Sequence, residues 1–133
     1  MYYTSEQHKN TYNALVNKYN AGNNNEYKAL LYLLTTSDDI RRHLADCIED
    51  LGTSSIFVKE DALHHGWATG ADKRLIRLAF NLYNNGVPTA IGLEGEDLEC
   101  ELTACTPVRV FSGLDERNFK AAITGLHIWA NRI

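Results

Sequence analysis

The sequence predicts an all-α or mostly α fold: a single-domain bundle of five to six short helices over residues 1–133, with room for one short strand or hairpin. Three observations lead there. Several segments carry apolar residues at helical spacing behind a capping residue. No two strand-like runs are joined by a turn signal, the pattern that marks a hairpin. At 133 residues, 44% hydrophobic and 23% charged, the chain also has the length and composition of one globular domain with a real core.

Taken in order, Thr4 and Gln7 stand in capping-box relation ahead of a first helix. Its apolar face is His8, Tyr12, Leu15, Val16 and Tyr19. The run from Asn20 to Asn25 ends it, since Asn and Gly tolerate left-handed turns. A second helix from about Glu26 to Thr35 is expected to bury Tyr27, Leu30, Leu31 and Leu34, with Leu33 available. Ser37 caps a third, with Asp38 and Asp39 in its first turn. Ile40, Leu44, Cys47, Ile48 and Leu51 continue that helix to Gly52. Ile56-Phe57-Val58 is β-prone, but no partner run stands nearby, so it reads as a buried connector.

Asp61 to Pro88 reads as the stretch around which the chain is organised. Thr69 and Asp72 form a capping box. Leu75, Leu78, Ala79, Leu82 and Tyr83 then recur at helical spacing, with Ile76 and Phe80 widening the arc. Gly86 is expected to take the left-handed position that ends the helix, and Pro88 to prevent its resumption. A shorter helix is expected from about Gly95 to Cys105, with Leu98, Leu102 and Cys105 on its inner face. Asp115 caps the last helix, with Leu114 and Phe119 as a hydrophobic staple. Its stripe is Phe119, Ala122, Ile123, Leu126, Ala130 and Ile133, with Trp129 at the edge.

Three segments, YYTSEQHKNTYNALVNKYN, GWATGADKRLIRLAFNLYNNG and TPVRVFSGLDERNFKAAITGLHIWAN, together resemble a family of small uncharacterised proteins carried by bacterial phages and mobile elements. The resemblance lies in the opening segment, the RLAFNL core and the FSGLD turn before the final helix. It covers most of the chain apart from about 90–104, where the acidic stretch departs from it. What it implies is context, an accessory protein of a mobile genome, and it carries over no catalytic residue.

Several function classes are disfavoured. The longest apolar runs are a few residues, so no membrane span is expected. The amino terminus lacks a basic region followed by an apolar one, as a secretory signal has. Three cysteines without CxxC spacing fit reduced thiols, so the expected location is the cytoplasm. A formal charge of −4 argues against nonspecific nucleic-acid binding. No phosphate loop, nucleophile elbow or HExxH motif is present, so no catalytic residue, metal ligand or cofactor is assigned.

The candidate binding residues fall into three groups. His64 and His65 precede Gly66 and Trp67 on the loop feeding the central helix. Adjacent histidines offer a metal ligand plus a base. Neighbours on an extended chain point apart, however, which favours one ring on the backbone and one in solvent. Trp67 is either an interface anchor or a plug folded over the bundle. Lys73, Arg74 and Arg77 form a basic edge suited to phosphate or an acidic partner, or simply a solvated helix flank. Glu94, Glu96, Asp97 and Glu99 make an acidic run that either docks on a basic protein or forms a solvated amphipathic face.

The favoured expectation is a non-catalytic protein acting by protein–protein contact, for instance as an inhibitor of host or defence machinery, with a homo-oligomer left open. The alternatives are a small enzyme or ligand- or metal-binding protein centred on His64 and His65, and a nucleic-acid-binding module using the edge from Lys73 to Arg77.

Overall fold

Ala29 to Leu34 are each fully excluded from solvent, and the rest of the chain is wrapped around them. They belong to the helix Asn25–Leu33 and its cap in a computed structural model that describes residues 1–52 and 55–133. The described residues form helices α1 (Glu6–Lys18), α2 (Asn25–Leu33), α3 (Asp38–Arg42), α4 (Leu44–Cys47), α5 (Gly70–Asn84), α6 (Gly95–Ala104), α7 (Pro107–Phe111) and α8 (Glu116–Trp129). Two strands, β1 (Ile48–Asp50) and β2 (Ile56–Val58), lie between α4 and α5. Five helices reach nine residues or more: α1, α2, α5, α6 and α8. The fold is therefore the mostly helical bundle expected, with one small hairpin.

The centre is α2, not α5. It packs against α1, α5 and α8 at once, so from Ala29 onward it has no solvent face, and its sequence carries no charge between Ala29 and Leu34. α8 approaches it closely at Gly125, where a Cβ would meet Leu33 Cδ2 and Cγ at 2.8 and 2.9 Å. Only a residue without a side chain permits that approach. The buried face of α8 is accordingly Ala121, Ala122, Thr124, Gly125 and Ile128. The expected stripe is rotated away from it, because small residues set the contact. Phe119, Trp129 and Ile133 are exposed.

α5 behaves as its sequence indicates. The Thr69–Asp72 capping box is formed, and Leu75, Ile76, Leu78, Ala79, Phe80 and Leu82 are buried. Asp72 is itself buried and accepts a hydrogen bond from Ser37 Oγ at 2.8 Å, tying the start of α3 to the start of α5. The helix ends on Asn85 rather than Gly86: Asn85 takes the left-handed conformation, φ 55°, as Asn tolerates.

Three other expectations are corrected. The N-cap of α1 is Ser5, which accepts from His8 N–H. Thr4 instead donates its hydroxyl to Thr36 O, fastening the terminus to the end of α2. The third helix does not run to Gly52. It breaks at His43, and the Cys47 carbonyl accepts from Lys59 N–H at 2.8 Å, outside any helical ladder. The chain continues as β1, so Ile56–Val58 is a strand and not a lone connector. The pair is antiparallel, with Ile48 opposite Val58 and Asp50 opposite Ile56.

One buried polar group is unusual. His8, fully buried, sits among the rings of Tyr3, Tyr12 and Tyr32, contacting those of Tyr3 and Tyr32 directly. Its Nδ1 accepts from Thr4 N–H at 3.0 Å, and its Nε2 lies 2.8 Å from Tyr32 O. An amide can only donate and a carbonyl only accept, so the ring is the neutral Nε2–H tautomer. Burial pushes its pKa down to about 4, with Arg41 adding to the effect and the bond to Tyr32 O opposing it.

Candidate functional site

α5, α6 and α7 enclose an open cleft of about 550 Å³. One wall is α5, whose positions 73, 74 and 77 share a flank because residues three and four apart are neighbours on a helix. The opposite wall is α6, and α7 closes one end. The cleft is lined by Gly70, Lys73, Arg74 and Arg77 from α5, by Glu96, Glu99, Cys100, Thr103 and Ala104 from α6, and by Arg109 from α7. The basic edge and the acidic run, separate features of the sequence, thus share one concavity.

α6 is fastened by polar contacts. None of its residues is buried. Its inner anchor is Glu101, which accepts from Arg77 Nε at 2.8 Å, Arg77 Nη2 at 2.9 Å and Thr89 Oγ1 at 2.8 Å. Cys105 Sγ donates to the same carboxylate at 3.4 Å. Burial alone would raise the Glu101 pKa, but the bonds from Arg77 and Thr89 outweigh it and hold the carboxyl below its usual range. Burial and the adjacent carboxylate push the Cys105 thiol up to about 11. Of the expected inner face, Leu98 and Cys105 are half-buried but Leu102 is exposed, because the inward position is taken by the Glu101 carboxylate, for which Arg77 and Thr89 offer partners.

Arg74 is also held in position. Its Nε donates to Arg109 O at 3.0 Å, and its guanidinium lies over Gly113, where an added Cβ would collide with Nη1. That turn has no room for a side chain while the guanidinium occupies it. Among the described residues, Lys73, Arg74 and Arg109 have no carboxylate within 4.0 Å, and neither Glu96 nor Glu99 has a cation within that distance. Both signs therefore face the cleft without neutralising each other.

The remaining candidates lie elsewhere. His64 and His65, at the end of a 3₁₀ turn over Ala62–His64, are both exposed. His65 Nε2 is 3.6 Å from Asp61 Oδ2, and Nδ1 is 3.9 Å from Asp46 Oδ2. Trp67 folds back: its Nε1–H donates to Asp46 Oδ2 at 2.9 Å, and its ring stacks on His43 at 4.7 Å. Glu94 and Asp97 are exposed but do not line the cleft. Among the described residues no group of His, Cys, Asp and Glu is arranged to hold a metal ion. No described helix is long and apolar enough to cross a membrane. Arg109, Glu101 and Asp46 are not among the candidate residues read from the sequence.

A family model matches residues 1–127. The chain belongs to DUF6075, a family of unknown function. The match spans all eight helices nearly to the end of α8, so the DUF6075 region takes in both walls of the cleft, including the acidic stretch that departs from the resemblance drawn from sequence. No curated protein and no solved structure matches this DUF6075 chain.

Proposed function

We propose that the protein is a non-catalytic accessory protein that acts by contact, engaging a partner protein through the cleft between α5, α6 and α7. The observation that carries this is that Lys73, Arg74 and Arg109 meet Glu96 and Glu99 in one cleft with none of the five in an ion pair among the described residues; of the cations lining the cleft, Arg77 is the one already paired, with Glu101. Such a face is complementary to a partner surface of mixed charge and repels surfaces of the wrong pattern. The resemblance to phage and mobile-element proteins supplies the setting, in which an inhibitor or adaptor works by occupying its target.

A second reading has one specific support. Arg109 extends the basic edge from α5 onto α7, as a nucleic-acid-binding surface requires. Glu96 and Glu99 oppose it, as does the net charge of −4.

The test is affinity capture from a host lysate with wild type, with Arg74→Glu/Arg109→Glu, and with Glu94→Lys/Asp97→Lys, whose positions lie outside the cleft. Calorimetry confirms that each variant folds. A partner lost with the first variant and kept with the second supports the cleft; equal capture by all three removes it. A mobility shift with random-sequence DNA that weakens steeply with salt would favour the second reading.

A further inference from the structure

We propose that the basic wall of the cleft, Lys73, Arg74 and Arg109, is a receptor for a phosphate monoester that carries an amine at its other end. This rests on the cleft being the functional face, and it goes further by naming what the cleft recognises.

The geometry points there in three steps. First, the three cations come from two helices and converge on one cavity, and among the described residues none has a carboxylate partner. Arginine presents a planar fork of donors matched to phosphate oxygens, and lysine adds a point charge. Second, the fork of Arg74 is set before any ligand arrives. Its Nε is bound to Arg109 O and its guanidinium lies over Gly113, so binding has less side-chain freedom to freeze. Arg77 makes both of its bonds to the Glu101 carboxylate, which neutralises it, and so stays out of the receptor. Third, Glu96 and Glu99 line the facing wall. They repel an anion from that side and accept from an ammonium, which sets the direction in which a molecule lies across the cleft.

The volume fits this class. About 550 Å³ falls within the range of small-molecule sites. No aromatic residue lines the cavity, so it offers no aromatic platform for a nucleobase. A short, polar, zwitterionic molecule matches the lining. The same chemistry also occurs on a protein, where a phosphorylated side chain stands near a lysine.

Calorimetric titration of the full chain tests this with inorganic phosphate, O-phosphoethanolamine and ethanolamine at matched ionic strength. Phosphoethanolamine is expected to bind more tightly than phosphate, and ethanolamine weakest. Arg109→Ala, which removes an exposed side chain, should weaken both phosphate probes by about tenfold, the loss of one charge-assisted contact. Glu96→Gln/Glu99→Gln should invert the ranking, tightening phosphate and loosening phosphoethanolamine. A peptide carrying phosphoserine and lysine identifies the source: tighter binding than phosphoethanolamine assigns the group to a modified partner, and weaker binding assigns it to a small molecule. Absence of binding by either phosphate probe at 10 mM, a deliberately generous ceiling of about −3 kcal/mol, overturns the proposal. So does equal binding by Arg109→Ala. Partner capture that still depends on Arg74 and Arg109 while no phosphate binds would leave the contact reading standing without this one.

Discussion

Mild acid should loosen the fold through His8. In the unfolded chain its imidazole titrates near 6.5; in the folded protein burial holds it at about 4. Above pH 6.5 the ring is neutral in both states and its packing is fully available. Between the two values the unfolded chain takes a proton that the folded chain refuses, so stability falls as the pH drops and levels off below about 4. The separation from 6.5 to about 4 converts to about 3 kcal/mol, most of it lost by pH 4.5. That is a large share of the roughly 5–15 kcal/mol that holds an ordinary domain together. Urea denaturation at pH 7.5 and 4.5 measures it, with His8→Gln as the reference. Glutamine keeps a donor and an acceptor but does not titrate, so exposed carboxylates affect both proteins alike. Wild type should lose about 2–3 kcal/mol more than the variant over that interval. Parallel losses would refute the reasoning and place the acid sensitivity elsewhere.

Gly125→Ala should destabilise the protein by about 1 kcal/mol, the overpacking against Leu33 exceeding the helix propensity gained; Leu33→Ala should relieve it in a double-mutant cycle read by urea denaturation. Glu101→Ala should cost about 2 kcal/mol, because Arg77, Thr89 and Cys105 lose their common acceptor, and hydrogen exchange should quicken in α6 before α2. Native alkylation followed by mass spectrometry should label Cys100, which is exposed, well before Cys47 and Cys105, whose thiols are pushed up to about 12 and 11 chiefly by burial.

The sequence carried the helices whose ends and faces are both written locally. α5 shows this best: its capping box, its apolar arc and its Asn-rich exit agree with one another. α2 is legible as a helix but not as the centre. A run buried on every side has no polar face to set the period, so LLYLL reads as a short amphipathic segment. The hairpin was hidden because Cys47, Ile48 and Leu51 also fit helical spacing, and only pairing with Ile56–Val58 decides between the two. On α8 the contact runs through Thr124 and Gly125, residues that a search for apolar stripes passes over. The site divides in the same way. Lys73, Arg74 and Arg77 are legible as one helix edge, and Glu96 and Glu99 as an acidic run. Their meeting, and the arrival of Arg109 beside them, depends on how α6 and α7 fold back over α5. Trp67 is legible as an aromatic on a loop, but its partners Asp46 and His43 lie some twenty residues earlier, beyond any local pattern.

The central position of α2 has a consequence for synthesis. The chain is made from its amino terminus, so the leucines of α2 leave the ribosome after α1 but long before α5 and α8, the other two helices that cover them. α5 supplies one side about forty residues later, and the Gly125 face of α8 arrives only after some fifty more. At about 5–20 residues per second, the most apolar segment of the protein stays uncovered for several seconds. A nascent chain stalled before α8 therefore presents a greasy helix with one flank open, the kind of surface that chaperones hold and that neighbouring chains stick to.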